Sequence, residues 1–131
     1  METIDRVTRH LENELEVCRP EDTELRLTEL DGLRERTRGD RIESDLAVFS
    51  ALGNETRYRL VRGLVHAADE LCVCELNALV DVSESAISHA LADLREAGLV
   101  TRRKDGRWRK YRATETTEAI VSALEEVRVD E

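Results

Sequence analysis

One short stretch near the end of the chain limits its possible folds more than any other. Asp105-Gly106 stands between LVTRRK (99–104) and RWRKYRAT (107–114). Two such runs joined by Asp-Gly are the strongest short-range signal for a β-hairpin. The segments before and after it have helical rather than alternating periodicity. TEAIVSALEEV (117–127) places Ala119, Ile120, Ala123, Leu124 and Val127 on one side of a final helix. Upstream, SESAISHALADLREAG (83–98) aligns Ile87, Leu91 and Leu94 and ends at Gly98. The turn Asp81-Val82-Ser83 separates it from CVCELNALV (72–80), a further helix. Helix, short turn, helix and hairpin in that order make the winged helix-turn-helix plan. The predicted fold is therefore mainly α with a small β-hairpin.

Asn54 caps ETRYRLVRGLVHA (55–67), whose Leu60, Val61, Leu64 and Val65 form one face. DLAVFSALGN, starting at Asp45, predicts a short helix stopped near Gly53. Ile4, Val7, Leu11 and Leu15 follow helical spacing up to the break at Cys18-Arg19-Pro20. Residues 21–41 are charged, with a thin stripe of Leu25, Leu27, Leu30 and Leu33, and are expected to be helical but irregular. Two regions follow from this reading: an N-terminal helical extension over 1–45 and a winged helix-turn-helix domain over 46–131. Aromatic residues make up only 3% of the 131-residue chain, so Leu, Val, Ala and Ile are expected to build the core, and a β-sandwich is not expected. No apolar run approaches the ~18 residues of a membrane span. The opening METIDRVTRHLENELE is too polar for a signal sequence, so a cytoplasmic location and reduced thiols are expected.

Charge is distributed unevenly. The chain carries −9 in total, yet residues 101–112, TRRKDGRWRKYR, hold seven Lys/Arg against one acid, a local +6 that leaves −15 elsewhere. A dense basic segment on an acidic body points to a local polyanion contact. Eighteen of the twenty basic residues are Arg. With the acidic excess, this fits a protein from a high-salt cytoplasm; the base composition of a GC-rich genome is the alternative cause. No catalytic constellation is present. His10, His66 and His89 are dispersed, and neither a GxSxG nucleophile turn nor a Gly-rich phosphate loop occurs, so neither an enzyme nor a small-molecule substrate is expected.

The segment ELCVCEL (70–76) raises a geometric problem. On a helix, Cys72 and Cys74 would point about 200° apart, whereas thiolates on one ion must converge at roughly 2.3 Å from it. Either the pair is packing, as free cysteines often are, or the helix start distorts to bring the sulfurs together.

LGNETRYRLVRGL, ELCVCEL and VSESAISHALADLREAGLVTRRKDGRWRKYRAT together resemble successive signature segments of the ArsR/SmtB family of metal-sensing transcriptional repressors, over about residues 46–128. The resemblance implies a homodimer that binds double-stranded operator DNA. It makes Ser83–Leu94 the recognition helix, with Ser85, Ser88 and His89 facing DNA. It makes Arg102, Arg103, Lys104, Arg107 and Arg109 the wing's DNA contacts, and Trp108 is expected to pack at the wing base. It also matches Cys72 and Cys74 to the family's metal-binding cysteines, with Glu75 where Asp is usual. The implied effector is As(III) or Sb(III), with Cys18 as the candidate third thiolate. Cd(II), Pb(II) and Zn(II) are soft-ion alternatives. A thiol-redox switch and a metal-trafficking protein remain open as other readings. A second metal site on the last helix, known in some relatives, needs histidines that TEAIVSALEEVRVDE lacks, so none is expected there.

Overall fold

The computed structural model describes residues 2–14 and 19–128, so Cys18, the candidate third thiolate, lies outside the described residues. The chain divides into two compact units, Met1–Ile42 and Glu43–Glu131.

The first unit is built on α1 (Glu2–Glu14) and α2 (Pro20–Arg36), which pack against each other. Pro20 starts α2 with a preset φ where no N–H is needed. Asp22 accepts a hydrogen bond from the Arg19 backbone N–H at 2.9 Å. Glu21 and Asp22 complement the helix dipole. Buried Thr23 meets Thr8 through an Oγ1–Oγ1 hydrogen bond of 3.4 Å. The irregularity expected over 21–41 is confined to residues 37–40, a turn and bend with Gly39 at φ 123, because α2 itself is an uninterrupted 17-residue helix. Its leucines form no continuous stripe, because their 2-3-3 spacing winds around the axis, and Leu25 and Leu33 remain exposed.

The second unit takes in all but the first two residues of α3 (Arg41–Leu52), which begins four residues before the expected Asp45 and stops ahead of Gly53. Asn54 caps α4 (Glu55–His66) as expected, its Oδ1 accepting from the Arg57 N–H at 3.1 Å. Ser83 does the same for α6 (Glu84–Glu96), accepting from the Ala86 N–H at 3.1 Å. Leu60 and Val61 of α4 pack with Ile87, Leu91 and Leu94 of α6 in one core.

The segment around the two cysteines differs from its expected helix over 72–80. Leu71–Cys72 forms a short strand, β1, and only Val73–Asn77 is helical as α5. The reason is tertiary: β1 pairs with β3 (Trp108–Ala113), setting Leu71 opposite Tyr111 and Cys72 opposite Lys110. Ladder bonds to a distant strand outweigh the local helix signal. β2 (Val100–Asp105) flanks the other side of β3, giving an antiparallel sheet in the order β1-β3-β2.

Asp105 pairs with Trp108 and so belongs to the ladder, which leaves Gly106-Arg107 as the two-residue loop. Gly106 has φ +63 and no other residue type in the described chain takes a positive φ. Glycine at the first loop position alone is the type II′ pattern, whose twist matches the flanking strands. Finally, α7 (Glu115–Val127) is tied down by Thr117, whose buried Oγ1 donates to the Leu99 carbonyl at 2.6 Å. Thr117 and Val121 face inward, while Ala119, Ala123, Leu124 and Val127 lie on the exposed side.

Candidate nucleic-acid interface and thiol site

α6 segregates its residues cleanly. Ile87, Ala90, Leu91 and Leu94 are buried, whereas Ser85, Ser88, His89 and Ala92 form an exposed strip on the other side. The three residues expected to face DNA therefore share one open helix face. The helix is held from behind by α4. Arg57 donates through Nε to the Ala51 carbonyl at 2.7 Å and reaches Asp93 of α6 at 3.6 Å. Arg59 donates to the Leu79 carbonyl at 2.8 Å, fixing the turn that leads into α6. Neither arginine was singled out from the sequence, because the contacts that tie them to α6 and its turn, Asp93 for Arg57 and the Leu79 carbonyl for Arg59, lie far along the chain.

The wing sorts its seven cations by face. Side chains alternate along each strand, and cross-strand partners share a face. By register, Arg102, Lys104 and Arg109 share the face that holds buried Val100, Tyr111 and Ala113. Arg103, Lys110 and Arg112 share the other face with Cys72, Asp105 and Trp108. Acids occupy the second set. Arg103 Nε donates to Glu70 at 2.7 Å, Lys110 pairs with Asp105 at 3.2 Å, and Arg112 lies 3.8 Å from Asp69. The Glu70 hydrogen bond, then its charge, raises the Arg103 pKa. By contrast, Arg102, Lys104, Arg109 and the loop residue Arg107 have no acidic partner within 4.0 Å among the described residues. Of the five expected wing contacts, four are free to meet phosphate, and Arg103 is engaged with Glu70. Trp108 departs from its expected place at the wing base: it stands next to the loop and is 54% exposed.

Cys72 is half-buried and Cys74 exposed, and both are free thiols. The continuous helix that would set the two side chains about 200° apart is not formed: Cys72 has extended dihedrals (φ −85, ψ 167) at the N-cap of α5, and only Cys74 is helical. Glu75 closes the junction: its Oε1 accepts from the Cys72 backbone N–H at 3.0 Å, the reach-back half of a capping box. That backbone bond first, then a bond with the Cys72 side chain, lowers the Glu75 pKa. Glu in place of the Asp usual in the resembling family thus has a local structural role. Among the described residues no group of three or more His, Cys, Asp or Glu comes together as a metal cluster. The pair therefore offers two soft donors without a third such ligand clustered beside them among the described residues. Junction and wing are directly joined, since Cys72 faces Lys110 across the sheet and Glu70 grips Arg103. α5 also packs against α6.

An exposed polar strip on the second helix of a helix-turn-helix, beside a hairpin with free cations, defines a winged-helix DNA-binding protein. Comparison with known proteins agrees. The model of the family "Bacterial regulatory protein, arsR family" matches residues 54–102. The "Putative arsenical resistance operon repressor ArsR" of Halobacterium salinarum is 51% identical over 124 residues, covering 95% of this chain and 96% of that protein. "Putative arsenical resistance operon repressor ArsR2" of the same organism is 54% identical over 89 residues, covering 68% of this chain and 75% of that protein. Both relatives accord with the high-salt reading of the composition. Among solved structures, HlyU from Vibrio cholerae matches with a TM-score of 0.62 and 28% identity, over 70% of this chain and 98% of that one. The chain belongs to the arsR family of DNA-binding transcriptional regulators, and it is not an enzyme. No helix among the described residues is long and apolar enough to cross a membrane.

Proposed function

We propose that this regulator is a cytoplasmic homodimeric repressor that leaves its operator when As(III) or Sb(III) is captured by Cys72 and Cys74, with Cys18 as third thiolate. The carrying observation is the placement of the two thiols at the β1–α5 junction, with β1 paired to the wing and α5 packed on α6. The names of the two Halobacterium relatives point to the same effector class. Thiolates select soft ions, and a trivalent metalloid is satisfied by three of them, whereas Cd(II) or Zn(II) usually takes four ligands. Three cysteines per chain favour the metalloid.

On this reading Ser85, Ser88 and His89 approach base edges, and Arg102, Lys104, Arg107 and Arg109 hold phosphates. The extension of residues 1–45 brings Cys18, and residues 46–131 bind DNA and dimerise. Exposed Leu46 and Phe49 on α3, together with Leu124 and Val127 on α7, supply apolar faces for a second copy. Capture of the ion pulls Cys72 and Cys74 together across the junction. An effector shifts an equilibrium only by its differential affinity for two states, so the ion must favour a junction geometry in which wing and recognition helix no longer fit one duplex. The test is release of a bound duplex, followed by fluorescence anisotropy, against As(III), Sb(III), Cd(II), Pb(II), Zn(II) and peroxide. Release by the metalloids at the lowest concentration is expected; release by peroxide alone would replace this reading with a thiol-redox switch.

A further inference from the structure

Trp108 is the one tryptophan in the chain, and it stands at the end of the wing with 54% of its surface exposed. A core role is excluded by that exposure, and a large exposed aromatic beside a cluster of cations calls for a partner. Its surroundings indicate which. Cross-strand from Trp108 is Asp105, whose charge is offset by Lys110 at 3.2 Å and Arg103 at 3.9 Å. Around the indole, charges are therefore mutually satisfied, and this side of the wing tip has little pull on phosphate. The opposite face ends in Lys104 and Arg109, and the loop in Arg107, all three without acidic partners among the described residues. A wing tip with free cations on one face and a charge-balanced aromatic on the other matches the minor groove, whose rims are phosphate and whose walls are deoxyribose. The groove is about 6 Å wide and a two-stranded ribbon has strands about 4.8 Å apart, so only loop side chains and the first cross-strand pair can enter.

We propose that Trp108 is a DNA-contacting residue, its indole packed on deoxyribose at the minor-groove wall while Arg107 and Arg109 hold the phosphates. The inference rests on the DNA-binding reading of the wing. It adds an apolar contact to a site otherwise described by charge, and one that salt does not screen.

As the sole tryptophan, Trp108 reports on its own surroundings. The experiment uses the full chain and a duplex selected by this protein from a random-sequence pool, with occupancy followed by anisotropy of a label on the DNA. At full occupancy, Trp108 emission should shift and become protected from iodide quenching. Trp108→Ala should weaken binding roughly tenfold, in line with aromatic contacts to nucleotides. It should leave the salt slope unchanged, because no charge is lost, whereas Arg107→Ala should lower that slope by about one. Trp108→Phe should recover most of the affinity. Full occupancy with unchanged emission and quenching, or Ala-variant binding equal to the parent at matched salt, would overturn the proposal. An indole already shielded in the DNA-free protein would overturn it as well, by assigning Trp108 to a contact between copies. Failure to select any duplex would instead sink the DNA reading on which it rests.

Discussion

Glu75 acts backwards along the chain, and its effect is on a cysteine rather than on an ion. Its carboxylate holds the Cys72 N–H at 3.0 Å, and that bond depresses its pKa. A depressed carboxylate contributes stability that is present above its ordinary value near 4.5 and is lost as pH falls through the folded-state value. The protection factor of the Cys72 amide in hydrogen exchange should therefore hold steady from neutral pH down to about 4.5 and drop below it. Glu75→Gln should remove that acid step. A parent whose Cys72 amide keeps its protection through the acid range would show that Glu75 does not set the junction. The reach-back was legible in outline, since Glu at the third helical position is a capping signal once the N-cap is known. The N-cap itself was not legible, because it depends on where β1 ends.

At the scale of elements, the wing is two differently charged faces rather than one basic ribbon. Arg107 and Arg109 have no acidic partner among the described residues, whereas Arg103 is held by Glu70 at 2.7 Å. Replacing Arg107 and Arg109 by Ala should weaken binding to all duplexes and flatten the salt dependence by roughly one unit per lost phosphate contact. Arg103→Ala should change the slope far less, because its charge already faces a carboxylate. Equal slopes for both variants in anisotropy titrations over a KCl series would erase the distinction between the faces. Helix caps at Asn54 and Ser83, the buried faces of α4 and α6 and the hairpin were readable because each depends on residues within a few positions. β1 was not, since two residues make a strand only when Tyr111 and Lys110 arrive from some 40 positions downstream. The Glu70–Arg103 pair, 33 residues apart, escaped for the same reason. Trp108 was misplaced because its alternation with arginines fixes a face but not a distance from the core.

For the whole molecule, a body at −15 outside the wing repels itself in dilute buffer, where the Debye length at 0.1 M salt is about 10 Å. Thermal unfolding should therefore shift upward as KCl rises from ~0.1 M into the molar range; a midpoint that stays flat or falls would contradict the high-salt reading. Operator contacts run the opposite way, since counterion release weakens them as salt rises, so a working concentration must satisfy both. Within that window the proposed function is a coupling: soft-ion capture by Cys72 and Cys74 and duplex binding by α6 and the wing oppose each other through the β1–α5 junction. Coupling between two binding events is reciprocal, and 1–3 kcal/mol, or roughly 5–150-fold in affinity, is typical. The most direct measurement is the duplex affinity of the parent, Cys72→Ser and Cys74→Ser, each with and without saturating arsenite. Arsenite should weaken the parent at least about fivefold and leave both serine variants at their arsenite-free affinity. Serine variants released as readily as the parent would contradict it.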